Sequence, residues 1–179
     1  MDWFFKIGKV WREHRWGRAR QHKVINLHWK GWDDAKRIGI LFNASYDRMD
    51  LEVLREVVQV LKQEHKSVTL CGWTGQMRPK NVLYNGRQLI FIDDFTWQGA
   101  PETGNALEFM QTEFDVIVSL HRGSRTPIDD LASKTSAGMR VAAEGEEDFY
   151  DFCMRSESKD YSVYFQNLKE WLRKINPSL

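Results

Sequence analysis

Apolar residues along this chain alternate between short continuous runs and a repeat of three to four residues. Five short apolar runs, each bounded by polar residues, are typical of strands that are buried on both faces. Between these runs, apolar residues recur at three- and four-residue steps, as they do in helices with one buried side. The predicted strands are residues 38–42, 67–73, 88–92, 114–120 and 139–143. The predicted helices are one that ends at residue 65, then residues 105–112, 127–137 and 161–175, with a further helical turn at 149–154.

Strands that alternate with helices pair in parallel, because each helix returns the chain to the start of the next strand. The predicted fold class is therefore α/β, a three-layer Rossmann-like open sheet of about five mainly parallel strands in the order 3-2-1-4-5. In such a sheet the order reverses between strands 1 and 4, and ligands bind in the crevice beyond their carboxyl ends. The loops after these two strands are the predicted ligand position.

The N-terminal segment, residues 2–20, is predicted to form an amphipathic helix ahead of the sheet. Its apolar side chains recur along one face, and its basic side chains occupy the others. Residues 21–36 show no sustained period but contain two tryptophans, which predicts a connector that packs on the body. We divide the chain into residues 1–36, a basic amphipathic helix with its connector, and residues 37–179, the Rossmann-like domain. The residues predicted to dock are Trp3, Phe4, Ile7, Trp11, Lys6, Lys9, Arg12 and Arg15.

Charge is distributed unevenly between this segment and the rest of the chain. Residues 1–37 hold ten Lys and Arg against four Asp and Glu, a net charge of +6, while the whole chain carries +1. The remainder is therefore at −5, and a basic segment on an acidic body favours an anionic partner. Basic and aromatic residues together suit an anionic membrane surface or, less strongly, nucleic acid. The alternative is that the apolar face packs on the helices of the body or on a partner subunit.

The loop after the fourth strand has the residues of an anion site. It combines a glycine, two arginines, hydroxyl groups and a helix N-terminus, whose free N–H groups favour an anion. Together with the loop after the first strand, it predicts a site for a small phosphorylated ligand. The alternative is that a hydroxyl only caps the helix while the arginines pair with surface carboxylates. The predicted ligand residues are Asn43, Ser45, His121, Arg122, Gly123, Ser124, Arg125 and Thr126.

Other kinds of chemistry have little support in the sequence. The turn after the first strand has no glycine, which disfavours dinucleotide binding, and no GxxxxGK[ST] phosphate loop occurs. The five histidines and two cysteines show no metal-ligand spacing, and no Gly-x-Ser-x-Gly motif exposes a serine nucleophile. Asp93 and Asp94 are interpreted as a solvated turn at a strand end, and Cys71 as a small buried apolar residue. We therefore predict no metal and no cofactor, and favour a protein that is not an enzyme.

Three segments of the chain carry a family resemblance. Residues 37–44, 114–120 and 131–141 resemble an uncharacterised bacterial family of short proteins of unknown function. They are similar, more distantly, to the N-terminal Rossmann-like half of heptosyltransferase-like glycosyltransferases of the GT-B type. The resemblance covers residues 37–143 and implies the fold, because its motifs are strand patterns. It transfers no catalytic residue, and the chain is too short to hold the nucleotide-sugar half of such an enzyme.

These patterns lead us to expect a Rossmann-like binding or interaction module without catalysis, which docks to a protein partner or an anionic membrane surface through residues 1–20. The alternative is a glycosyltransferase-like domain that binds a phosphorylated or nucleotide-sugar ligand at the crevice between strands 1 and 4. Two cysteines far apart suit a reducing compartment, and no apolar run reaches the ~20 residues of a membrane span. Charged residues interrupt any signal peptide. We expect a cytoplasmic protein, at most peripheral to the inner membrane.

Overall fold

The computed structural model describes residues 28–44, 48–79, 89–96, 100–120, 126–144, 149–155 and 160–175. These residues form three layers, with one six-stranded sheet between two pairs of helices. The strands are β1 (Arg37–Asn43), β2 (Ser67–Trp73), β3 (Leu89–Ile90), β4 (Phe114–Ser119), β5 (Ala137–Ala142) and β6 (Phe152–Cys153). The helices are α1 (Arg48–Gln63), α2 (Gly104–Gln111), α3 (Pro127–Lys134) and α4 (Tyr161–Lys174), with a short 3-10 helix at Ile92–Asp94.

The six strands are all parallel and lie in the order β3-β2-β1-β4-β5-β6. This confirms the predicted α/β class and the order 3-2-1-4-5, and it adds an edge strand beyond β5. β1 pairs with β2 along its whole length and with β4 on its other side, so it lies at the centre of the sheet. The order reverses between β1 and β4, and their carboxyl ends therefore form the crevice expected from the sequence.

The central strands are buried on both faces because helices cover each side of the sheet. On one side, Ile38 and Ile40 of β1 belong to a core cluster with apolar residues of α1 and α4. On the other side, Leu41 packs in a second cluster with apolar residues of α2 and α3. Gly39 lets α2 approach the sheet closely, since a Cβ atom there would lie 2.8 Å from the ring of Phe109. The unbroken apolar run of β1 follows from this two-sided burial.

Two segments near the sheet edges differ from the prediction. The third strand, expected over 88–92, is described from residue 89 onward and ends at Ile90, and Ile92 already begins the 3-10 helix. The prediction of a helical turn over 149–154 is wrong, because residues 152–153 form β6 beside β5. Met154 donates its N–H to the carbonyl of Ala142 at 2.9 Å, which continues that pairing. In so short a segment, available backbone partners decide between helix and strand more than residue type does.

The connector ahead of β1 packs on the body from residue 28 onward. The side chains of Trp29 and Trp32 are buried in the core cluster on the α1 and α4 side. Lys66, which is also buried, donates through Nζ to the carbonyls of Trp32 and Ala35, both at 2.8 Å. Burial lowers the pKa of Lys66, and its ammonium group lies 4.6 Å from the centre of the Trp32 ring. A buried cation therefore holds the connector to the turn before β2.

Candidate functional site

The crevice of the sheet lies where β1 and β4 end. Leu41 of β1 is in register with Ser119 of β4, and Leu120 donates its N–H to the Leu41 carbonyl at 2.8 Å. Beyond that pair, Asn43 and Ala44 extend β1 and are partly buried. The end of β1 and the start of the loop after β4 are therefore neighbours, as the sequence predicts for a ligand site.

Two of the eight predicted ligand residues are among those that the structure describes. Asn43 ends β1, and Thr126 precedes α3 as its N-cap residue. The other six lie outside the described residues, and their part in an anion site stays a prediction. They are Ser45, His121, Arg122, Gly123, Ser124 and Arg125.

The amino end of α3 is capped by a carboxylate of the chain itself. Thr126 donates its N–H to Asp129 Oδ2 at 2.8 Å, and its hydroxyl donates to the same oxygen at 3.2 Å. Pro127 has no N–H group, and the N–H groups of Asp129 and Asp130 point to the Thr126 carbonyl, at 3.0 and 3.5 Å. Both aspartates are buried, and their negative charges complement the positive end of the helix dipole. An incoming anion would therefore meet like charge at this helix end.

An aromatic pair from the segment before β6 covers the same helix end. Tyr150 donates through its hydroxyl to Asp129 Oδ1 at 2.8 Å, so both oxygens of this carboxylate have donors. The rings of Phe149 and Tyr150 are 4.5 Å apart and pack against the core cluster on the α2 and α3 side. Sequence reasoning missed this pair, because its contact with Asp129 joins residues 21 positions apart. The adjacent aromatic residues after an acidic run were the available sequence signal.

Ser119, the last residue of β4, buries a hydroxyl group beside the crevice. It is 1% exposed, and its Oγ has no hydrogen-bond partner within the described ranges. A buried polar group without a partner costs about 1–3 kcal/mol, so a group that bonded to this hydroxyl would stabilise the folded chain. The Ser119 hydroxyl is thus a buried polar group at the carboxyl end of β4.

The interpretation of Asp93 and Asp94 as a solvated turn is wrong for the second residue. Asp94 is 1% exposed, accepts the N–H of Phe91 at 2.9 Å and pairs with Arg78 Nη2 at 2.6 Å. Asp93 is exposed and accepts the N–H of Arg78 at 2.8 Å. The pair therefore holds the segment around Arg78 against the end of β3, because a buried carboxylate needs donors from its surroundings.

A small cavity of about 90 Å³ lies between β2 and α2. Its lining includes Cys71, Asn105 and Glu108. Cys71 is fully buried, as the sequence predicts for a small apolar residue. Burial, followed by the nearby charge of Asp94, raises the pKa of the Cys71 thiol. The neutral thiol is unreactive, so this residue belongs to the core rather than to a nucleophilic site.

The predicted docking segment lies outside the residues that the structure describes, and so do its eight named residues. Within the described parts of the chain, no helix is long and apolar enough to cross a membrane. Over the same residues, histidine, cysteine, aspartate and glutamate side chains form no group of three that could hold a metal ion.

The fold and the position of its crevice define a Rossmann-like α/β domain. The chain belongs to a family of unknown function (DUF6913), which matches residues 18–175 and confirms the expectation of a family without an assigned function. The match begins inside the predicted N-terminal helix and includes the connector, all six strands and all four helices described above. No curated protein and no solved structure matches the chain.

Proposed function

We propose that this chain is a non-catalytic binding or interaction module that docks through the basic, aromatic segment 1–20. An anionic membrane surface is the docking target that we favour, and a protein partner is the alternative. The observation that carries the proposal is the capped amino end of α3. There, the Asp129 carboxylate caps the helix and accepts the Tyr150 hydroxyl, and its negative charge disfavours an anionic ligand at that helix end.

The hydrogen-bond partners of three buried carboxylates support the same proposal. Asp94 pairs with a cation and caps the end of β3, and Asp115 accepts two backbone N–H groups at the start of β1. Asp129 caps α3 and accepts the hydroxyl of Tyr150. An acid or base in catalysis needs a proton that it can exchange with a substrate. These carboxylates instead bond to groups of the chain and serve its architecture.

The docking segment has the chemistry of an interfacial helix. Four apolar residues recur on one face, with basic residues beside them, and residues 1–37 carry a net charge of +6. Such a helix binds by burying its apolar face at the lipid headgroups, while its cations attract anionic lipids. The function we propose would therefore be exercised in the cytoplasm, at the inner surface of a membrane.

Vesicle co-sedimentation of the full chain tests this function. We expect binding to vesicles of phosphatidylcholine and phosphatidylglycerol, little binding to phosphatidylcholine alone, and weaker binding at high salt. Changing Lys6, Lys9 and Arg12 together to glutamate should abolish binding, while Arg55→Glu with Lys62→Glu, at exposed positions of α1, should leave most of it. No binding by the wild-type chain, or equal losses in both variants, would overturn docking on a membrane.

The buried hydroxyl of Ser119 favours a second candidate function. In this alternative, a glycosyltransferase-like domain binds a phosphorylated or nucleotide-sugar ligand at the crevice between β1 and β4. A ligand that binds only the folded state at ~100 times its Kd adds ~2.7 kcal/mol to the free energy of unfolding. A thermal-shift screen with inorganic phosphate, nucleotides and sugar phosphates measures this effect. A rise in Tm that Ser119→Ala removes would support the second candidate, and no rise with any of these compounds would exclude it for them.

A further inference from the structure

Helix α4 carries apolar side chains on two sides. Its inward face is buried in the core, with Leu168 and Leu172 fully covered. On its outer side, Val163 and Trp171 are 46% and 51% exposed. A helix that packs on a sheet normally has polar residues opposite its apolar face. The outer apolar residues of α4 therefore do not pack on the sheet.

Val163 and Trp171 belong to one stripe along the helix. Together with Asn167 they follow at four-residue steps, which places the three residues on the same side. The stripe is about 12 Å long, because eight residues of helix rise about 1.5 Å each. Two exposed carboxylates, of Asp160 and Glu170, belong to the same helix and its N-cap. Lys174 lies over the Trp171 ring, 5.0 Å from its centre, and Arg173 is a second cation in the last turn of the helix.

The connector ahead of β1 contacts the carboxyl end of α4. Trp29 donates through Nε1 to the Ile175 carbonyl at 3.3 Å, and Ile175 donates its N–H to the Trp171 carbonyl at 3.2 Å. The Trp29 side chain therefore contacts the carboxyl end of α4, one helical turn beyond Trp171. Residues 21–27 can span about 23 Å when extended. That reach covers the length of α4, which is about 21 Å for 14 residues.

We propose that the apolar face of residues 2–20 docks on the stripe formed by Val163, Asn167 and Trp171 of the same chain. The apolar residues of that face run from Trp3 to Trp11, which is the same eight-residue span as the stripe. Basic residues beside the face can then approach Glu170 and the N-cap residue Asp160, and the short connector keeps the segment at high local concentration.

The same four apolar side chains form the face that we propose docks on a membrane. The consequence of this inference therefore rests on the proposed function. The face binds either α4 or an external surface, so α4 regulates how much of the docking segment is available. If the segment lies on α4 about 90% of the time, its apparent affinity for a membrane is reduced about tenfold. Disrupting the stripe should therefore raise the apparent affinity of the chain for a membrane about tenfold.

Photo-cross-linking of the full chain at low concentration tests the contact. A benzoylphenylalanine in place of Val163 should capture peptides from residues 1–20 of the same chain, seen by mass spectrometry in the monomer band. The matched control places the same probe at Val60, which is 47% exposed but lines a different groove, between α1 and α4. Capture of the segment from position 60 instead, equal capture from both positions, or capture only between two chains would overturn the proposal.

A second measurement does not depend on the probe. Trypsin should cleave after Lys6, Lys9 and Arg12 at least threefold faster in Val163→Asp than in the wild type, with no change in Val60→Asp. Equal rates in all three proteins would refute docking on α4. Vesicle binding separates this result from the proposed function. If the segment is captured but no variant binds vesicles, the α4 contact stands and the membrane target is excluded. If vesicles are bound but the segment is not captured, the membrane target stands and the α4 contact is excluded.

Discussion

Replacement of Asp115 by asparagine tests how the connector is held to the sheet. Asp115 Oδ2 accepts the N–H groups of Lys36 and Arg37 at 2.7 and 2.8 Å, and Lys30 Nζ lies 3.7 Å from Oδ1. Hydrogen bonds to a charged group contribute ~1.5–3 kcal/mol each, while the exposed Lys30 adds at most ~1 kcal/mol. Asparagine keeps an acceptor oxygen but not the charge, so Asp115→Asn should lower the free energy of unfolding by ~2 kcal/mol.

The pH dependence of this loss follows from the pKa of Asp115. Burial alone would raise that pKa, but the N–H groups of Arg37 and Lys36, together with the charges of Lys30 and Arg37, outweigh burial and lower it. A group with a lowered pKa in the folded state stabilises the fold above its unfolded pKa, about 3.9 for aspartate, and loses this effect as the pH falls through the folded pKa. The difference between wild type and Asp115→Asn should be full at about pH 7 and should shrink below about pH 4.

Urea denaturation followed by tryptophan fluorescence, repeated at decreasing pH, measures this difference. Glu113→Gln is the matched control, because Glu113 is an exposed carboxylate in the same region that pairs with Arg37 at 3.3 Å. That variant should lose less than ~1 kcal/mol. The reasoning is refuted if both variants lose the same amount near neutral pH. It is equally refuted if the deficit of Asp115→Asn stays constant at all pH values down to acid unfolding.

Three further results are expected. Arg140 is buried and donates to two carbonyls at the end of α3, so Arg140→Met should lower the free energy of unfolding by ~2–4 kcal/mol in urea, and lysine should restore only part of it. Iodoacetamide should add one group per folded chain, at exposed Cys153 and not at buried Cys71, and two groups in urea, as counted by mass spectrometry. Among the described residues, β3 pairs with β2 only at Gly72 and Trp73, so the N–H groups of Val68 and Leu70, which point away from β1, should exchange hydrogen faster than those of the alternate residues of β2.

The sheet itself was predictable from local pattern. The apolar runs at β1 and β4 are continuous because helices cover both faces, and such a run is visible in the sequence without knowledge of any partner. The alternation with amphipathic helices then restricts the order of parallel strands to very few arrangements. The cap of α3 was predictable for the same reason, since Thr126, Pro127 and Asp129 are neighbours along the chain.

The contacts that define the candidate site depend on the tertiary structure. The Tyr150 hydroxyl reaches Asp129 across 21 positions, and Asp115 reaches the N–H of Lys36 across 79. The short strand β6 exists because β5 offers it backbone partners, and residue type in that segment had predicted a helical turn. The spacing of apolar residues reports which face of a helix or strand lies against the core, and this is a local property of the sequence. The partner of a buried polar group is set by where the chain returns, and that is decided only when the whole sheet has formed.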